Sequence, residues 1–314
     1  MAPAAAIASQ TRVTVETVLG PIPATGLGTT LPHEHLFIDL LREYRDAGLL
    51  RDEPLAIREV GAFKALGGGT IVDLTSIGLG RNPEGLARVS QATGVNIVMG
   101  AGFYRHPYLD REWFDRHDPD AIAEVIVRDL VEGVDGTGIR AGIIGEVGCD
   151  SYISAAEERS FRAAARAHLA TGATISTHAA RWPIGLAQLD LLEREGVDPA
   201  RVIVGHADTV PDDGYRIALA RRGAWVELDT IQGETEHDTE QRIAWLLELL
   251  DAGLGDRVLL SHDVCLSSHL RARGGSGYAY LLDGFVPRLR ERGLDEATIE
   301  RLLVDNPRRA LTGT

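Results

Sequence analysis

Short apolar, β-branched runs recur along the chain at roughly 30–37, 70–75, 96–103, 141–147, 173–178, 201–206, 224–229 and 257–262. Between them lie longer stretches with helical spacing of apolar positions, such as EPLAIREVGAFKALGG, NPEGLARVSQATG, AAEERSFRAAARAHLATG and EQRIAWLLELLDAGLG. Several of these end in glycine, which adopts the left-handed conformation that stops a helix. Strands separated by helices pair in parallel, because the helical crossover returns the chain in the same direction. Eight such units predict an α/β fold of the closed (β/α)₈ TIM-barrel type. An open doubly wound sheet is the weaker reading, since no dinucleotide fingerprint follows the first run. Ahead of it, TRVTVETVLGPIPATGLG alternates and then turns, predicting a short N-terminal β-hairpin that caps one end of the barrel. No linker, low-complexity tract or repeat interrupts the pattern. Residues 1–314 therefore read as one barrel domain, with residues 1–10 expected to be disordered.

Composition narrows the partners. A net charge of −14 argues against a nucleic-acid partner, because phosphate binding needs a basic face. Two cysteines, Cys149 and Cys265, are too few for a disulfide framework and fit a reducing, cytoplasmic setting. MAPAAAIASQ lacks the basic start and apolar core of a secretory signal, and no run approaches the ~18 apolar residues of a membrane span. The chain has a single lysine, Lys64.

The chemistry sits at the ends of the runs, where a barrel carries its functional loops. LPHEHLFID supplies His33 and His35, AGIIGEVG supplies Glu146, and ATISTHAA supplies His178; RVIVGHAD and RVLLSHDV add His206 and Asp263. His33 and His35 are two apart, so on a strand both face the same way and can chelate one cation, while Glu34 points to the opposite side. Taken singly, a histidine at a strand end packs or hydrogen-bonds more often than it ligates. The ordered set, with imidazoles and carboxylates and no thiolate, points to divalent metal: zinc first, with manganese, cobalt or iron as alternatives. Two such cations ~3.5–4 Å apart would lower the pKa of a shared water, and Asp263 would hold the resulting hydroxide and accept its proton. The remaining histidines read as ordinary ones, with His106, His117, His168 and His237 on loop or helix surfaces.

At TTLPHEHLFID, DGTGIRAGIIGEVG, ISTHAA, RVIVGHAD and RVLLSHD, the chain resembles the phosphotriesterase family of the amidohydrolase superfamily, over essentially its whole length. The resemblance implies two metals, the more buried held by His33, His35 and Asp263 and the more exposed by His178 and His206. It also implies a homodimer. The best-known members bridge their metals with a carboxylated lysine on strand four. This chain has Gly145-Glu146 there, and Lys64 lies in the helix-like stretch before strand two. The branch resembling phosphotriesterase homology proteins carries glutamate at this step, which makes Glu146 the bridging ligand. Tyr104 of AGFYRH stands where lactonase-like members have tyrosine and organophosphate-degrading ones have tryptophan. Leu228–Thr230 lacks the arginine that follows this aspartate in acyl-homoserine-lactone hydrolases.

The expected activity is hydrolysis of a lactone or other carboxylic ester by a metal-bridging hydroxide, with Asp263 as proton acceptor and Tyr104 assisting at the oxyanion. The loop CLSSHLRARGGSGYAYLL after strand eight places His269, Arg271 and Arg273 where this fold grips anions, predicting an anionic or phosphorylated substrate. Asp208 reads as a ligand-orienting or loop-capping residue. An amidohydrolase acting on N-acyl amino acids, a TatD-type metal-dependent deoxyribonuclease and a non-catalytic binding protein on the same barrel are the alternatives.

Overall fold

The eight runs form eight parallel strands of one sheet, paired in chain order: Thr29–Glu34, Gly68–Asp73, Asn96–Ala101, Ile143–Gly148, Ile175–His178, Val202–Gly205, Trp225–Leu228 and Val258–Leu260. The computed structural model describes residues 13–314; the disorder expected for residues 1–10 lies outside the described residues. Helices cover the outside, giving the (β/α)₈ TIM barrel. Their starts are set by short polar side chains that accept from the otherwise unpaired first-turn N–H groups: Asp52, Asn82, Asp118, Ser154 and Thr235. Each such cap contributes roughly 1 kcal/mol. Gly94 and Gly172 close two of the helices at φ of 67° and 77°. No helix among the described residues is long and apolar enough to cross a membrane.

The first and last strands meet through side chains as much as through backbone. His33 N donates to Ser261 Oγ at 3.1 Å, and Asp263 N to His33 O at 3.2 Å. Strand eight stops at Leu260, short of the predicted 262, for a physical reason. The buried Glu34 carboxylate accepts from His262 N (3.0 Å) and Val264 N (2.9 Å), drawing that backbone out of the ladder. Asp263 then turns in the left-handed region at φ 51°.

The hairpin, Thr14–Thr17 paired antiparallel with Gly20–Pro23, closes one end of the barrel. Val15 and Leu27 pack with inward-facing Val72, Val98, Ile143, Ile203, Trp225 and Leu259, and with Leu311 of the last helix, Asn306–Thr312. Thr70 Oγ1 donates to Leu27 O and Thr174 Oγ1 to Ala310 O, both from the N-terminal ends of their strands. The C-terminal ends are left open for chemistry.

Candidate metal centre

The inward alternation of the strands brings all six predicted ligands to the open end. Two clusters result, His33–His35–Asp263 and Glu146–His178–His206, each with its donor atoms within 4.8 Å of one another. Glu146 lies between them. Its Oε1 is 3.6 Å from His35 Nε2, while Oε2 is 3.1 Å from His178 Nδ1, 3.5 Å from His206 Nε2 and 3.6 Å from His33 Nε2. Asp263 Oδ1 stands 3.3 Å from His35 Nε2 and 4.0 Å from His33 Nε2. His33 Nε2 is buried with no hydrogen-bond partner. Such an orphaned nitrogen is costly unless something binds it, and a divalent cation between these donors fits.

Glycine is required at 145, beside Glu146. Its φ is 143°, and a Cβ there would lie 2.5 Å from Ser176 O. Lys64 is far away, on the outer helix Glu53–Ala65, donating to Gly94 O at 3.0 Å. No lysine is therefore available at the bridging position.

Behind the ligands stands a set of groups that the sequence reading gave no role. Asp229 Oδ2 is 2.9 Å from His33 Nδ1, and Oδ1 is 2.9 Å from His206 Nδ1. Glu227 Oε2 lies 3.1 Å from His33 Nδ1, and Thr75 Oγ1 lies 2.9 Å from His35 Nδ1. Three imidazoles are thus oriented so that Nε2 faces the centre. Burial alone would lower the His33 imidazole, but Asp229, Glu227 and Glu146 outweigh it and hold it well above its ordinary pKa. His206 behaves likewise, chiefly against Asp229. Burial pushes Glu227 up to about 7. The signal was legible: Glu227 and Asp229 are two apart in WVELD, the same spacing as His33 and His35.

A cavity of about 420 Å³ opens over the centre and is lined by His35, Tyr104, Glu146, His178, His206, Asp263 and His269, among others. Tyr104 Oη is 3.2 Å from His178 Nδ1, and the Arg105 guanidinium stacks 5.0 Å from the Tyr104 ring centre. Burial and the nearby Glu146 carboxylate keep the Tyr104 phenol protonated far above its usual range. Asp208 caps the loop after strand seven, accepting from Asp229 N, Thr230 N and Arg242 Nε.

The arginines of the strand-eight loop are placed otherwise than expected. Glu59 accepts from Arg271 N and Ala272 N, folding this stretch back on the outer helix. Arg271 then pairs with Asp283 at 2.6 Å, and Arg273 borders a separate cavity of about 200 Å³. Neither lines the cavity over the centre, whose arginines are Arg105, Arg181 and Arg242. His269 does line it, with its ring near Gln232 Nε2 (3.2 Å). One smaller correction concerns burial. His168 is a buried residue, its Nδ1 2.7 Å from Ala173 O, and not a surface one. Cys265 is only partly buried and faces the cavity, whereas Cys149 is fully buried.

Comparison with known proteins shows what the whole chain is similar to. The profile of the phosphotriesterase family matches residues 13–311. The phosphotriesterase homology protein of Escherichia coli (strain K12) is 38% identical over 282 residues, covering 89% of this chain and 96% of its own. N-acetyltaurine hydrolase of Dictyostelium discoideum is 36% identical, covering 84% of this chain and 74% of its own. The crystal structure of a lactonase from Listeria monocytogenes superposes with a TM-score of 0.89 at 30% identity, covering 96% of this chain and 99% of that one.

Proposed function

Because the chain belongs to the phosphotriesterase family, we propose that it is a binuclear divalent-metal hydrolase of carboxylic esters, above all lactones. One observation carries the reading: two triads of imidazole and carboxylate donors meet on the two oxygens of Glu146, around an orphaned His33 nitrogen. Zinc suits this donor set first, then manganese, cobalt or iron. His33, His35 and Asp263 would hold one cation, His178 and His206 the other, and Glu146 both. The pair, when bound, polarises a carbonyl and lowers the pKa of a shared water.

The chain's own groups do the rest. Burial alone would raise the Asp263 carboxyl, but His35, His206 and His33 bring it below its ordinary range, so it is an ionised proton acceptor. It takes the proton of the attacking water and returns it to the departing alkoxide. The protonated Tyr104 hydroxyl donates to the oxygen on which negative charge develops. A small-molecule substrate, a homodimer and a cytoplasmic setting go with this reading, the last two on family resemblance and cysteine usage.

A second reading, hydrolysis of an N-acyl amide, is favoured by relatives named N-acetyltaurine hydrolase at 30–36% identity. The same groups serve either carbonyl. The deciding experiment is a hydrolysis screen of the metal-reconstituted protein against lactones and N-acyl amino acids, with Asp263→Asn beside it. Lactone turnover is expected, with kcat lowered at least about 100-fold in the variant at matched metal content. Turnover of amides alone would transfer the assignment to the second reading. An unchanged kcat in Asp263→Asn would remove the proposed proton acceptor.

A further inference from the structure

Three arginines face the cavity, and two are already neutralised. Arg105 is held by Glu43 at 2.9 Å and Asp150 at 3.3 Å, and Arg242 by Asp208 at 3.0 Å. Among the described residues, the Arg181 guanidinium has neither a carboxylate nor a hydrogen-bond partner; only its backbone is engaged. That backbone is well anchored. Arg181 N donates to Thr209 Oγ1 at 2.7 Å, and Thr209 Oγ1 donates to His206 O at 2.7 Å. The loop is therefore tied to the turn that bears one ligand, and it begins three residues after another, His178. Beside Arg181, Trp182 also lines the mouth and leaves 54% of its surface exposed. Glu234 and Asp238, on the loop after strand seven, line the same cavity and make that part of the rim anionic.

We infer that Arg181 is the anion-recognising residue of the substrate pocket. It selects carbonyl substrates that carry a terminal carboxylate, sulfonate or phosphate away from the scissile bond, with Trp182 walling the connecting chain. The charge expected from the sequence on the strand-eight loop is thus supplied from the strand-five loop. An unneutralised guanidinium on an anchored backbone gains a charge-assisted hydrogen bond without first giving up a protein partner. Glu234 and Asp238 repel an anion from the strand-seven part of the rim. This inference rests on the hydrolase reading for its substrate, but not for its anion.

The test uses metal-loaded protein and pairs of lactones or N-acyl compounds matched in length, one of each pair ending in an oxyanion and the other in a neutral amide. In Arg181→Gln, kcat/KM for the anionic member should fall roughly 10- to 100-fold, mainly through KM, with the neutral member within about twofold. Arg181→Lys should recover part of the loss, and added salt should erode the wild-type preference but not the variant's. Equal losses on both members, or no loss on the anionic one, would overturn the inference. Calorimetric binding of a non-hydrolysable short-chain sulfonate, carboxylate and phosphate ester separates the two readings. Arg181-dependent binding without turnover keeps the anion site and removes the hydrolase. Turnover with Arg181-independent binding does the reverse. The same titration shows which oxyanion is preferred.

Discussion

Asp229 decides how the centre titrates. It touches the far nitrogens of both His33 and His206, and with its neighbours it holds their protons on above the ordinary imidazole pKa of about 6.5, against the pull of burial. A cation must displace those protons to reach the imidazoles. The sign follows: a raised pKa means protons compete to higher pH, so metal affinity keeps climbing past the pH at which an ordinary imidazole has lost its proton. In Asp229→Asn the climb should level off at lower pH, while the plateau affinity falls roughly 10- to 100-fold because the rings lose their orienting partner. Chelator-competition titrations across pH read both quantities, and a levelling-off point that stays put in the variant would contradict the assignment. The six candidate ligands, and their convergence at one end of the barrel, were legible from spacing and position at strand ends. Arg181 was not, since an arginine in a loop becomes informative only when its neighbours' carboxylates are seen to go elsewhere.

Glu34 plays for the first and eighth strands the part that ligands play for the centre. Fully buried, its carboxylate takes hydrogen bonds from His262 N and Val264 N, and it lies 2.8 Å from Ser261 Oγ and 2.7 Å from His262 Nδ1. The sequence placed it opposite to His33 and His35, which is where it is, but gave it nothing to do there. Its work is to bend strand eight into the turn that presents Asp263. Replacing it by alanine strands several buried donors at about 1–3 kcal/mol each, and Glu34→Ala should lose roughly 3–5 kcal/mol of unfolding free energy. Denaturant titration of the metal-free protein measures this apart from any effect on metal. A loss under about 1 kcal/mol would mean that water or a neighbour satisfies those donors. At this same scale, Arg271 and Arg273, expected to grip an anion from the strand-eight loop, lie away from the cavity because Glu59, more than 200 residues earlier, captures the loop's backbone.

Across the molecule, the candidate ligands run from His33 to Asp263 and come from five of the eight strands, so a cation bound by them would join segments that only the folded barrel brings together. Binding to the folded chain alone stabilises it by about 4 kcal/mol at a thousand times Kd. Removing metal with a chelator should therefore lower Tm by roughly 5 °C or more, reversibly on adding zinc; an unchanged Tm would mean that the donors are not engaged. The closed end should feel this least, since the hairpin and the last helix seal it by apolar packing. By itself the sequence determined the strand order, the barrel and a set of candidate metal ligands, because these follow from local periodicity: two-residue alternation in strands, helices between them, and imidazole and carboxylate side chains where strands end. Only the tertiary structure decided which charges are spent and which remain. The pairing of Asp229 with His33, Glu34 with His262, Glu59 with the strand-eight loop, and the lack of a side-chain partner for Arg181 among the described residues all depend on distances between residues remote in sequence, which no local pattern encodes.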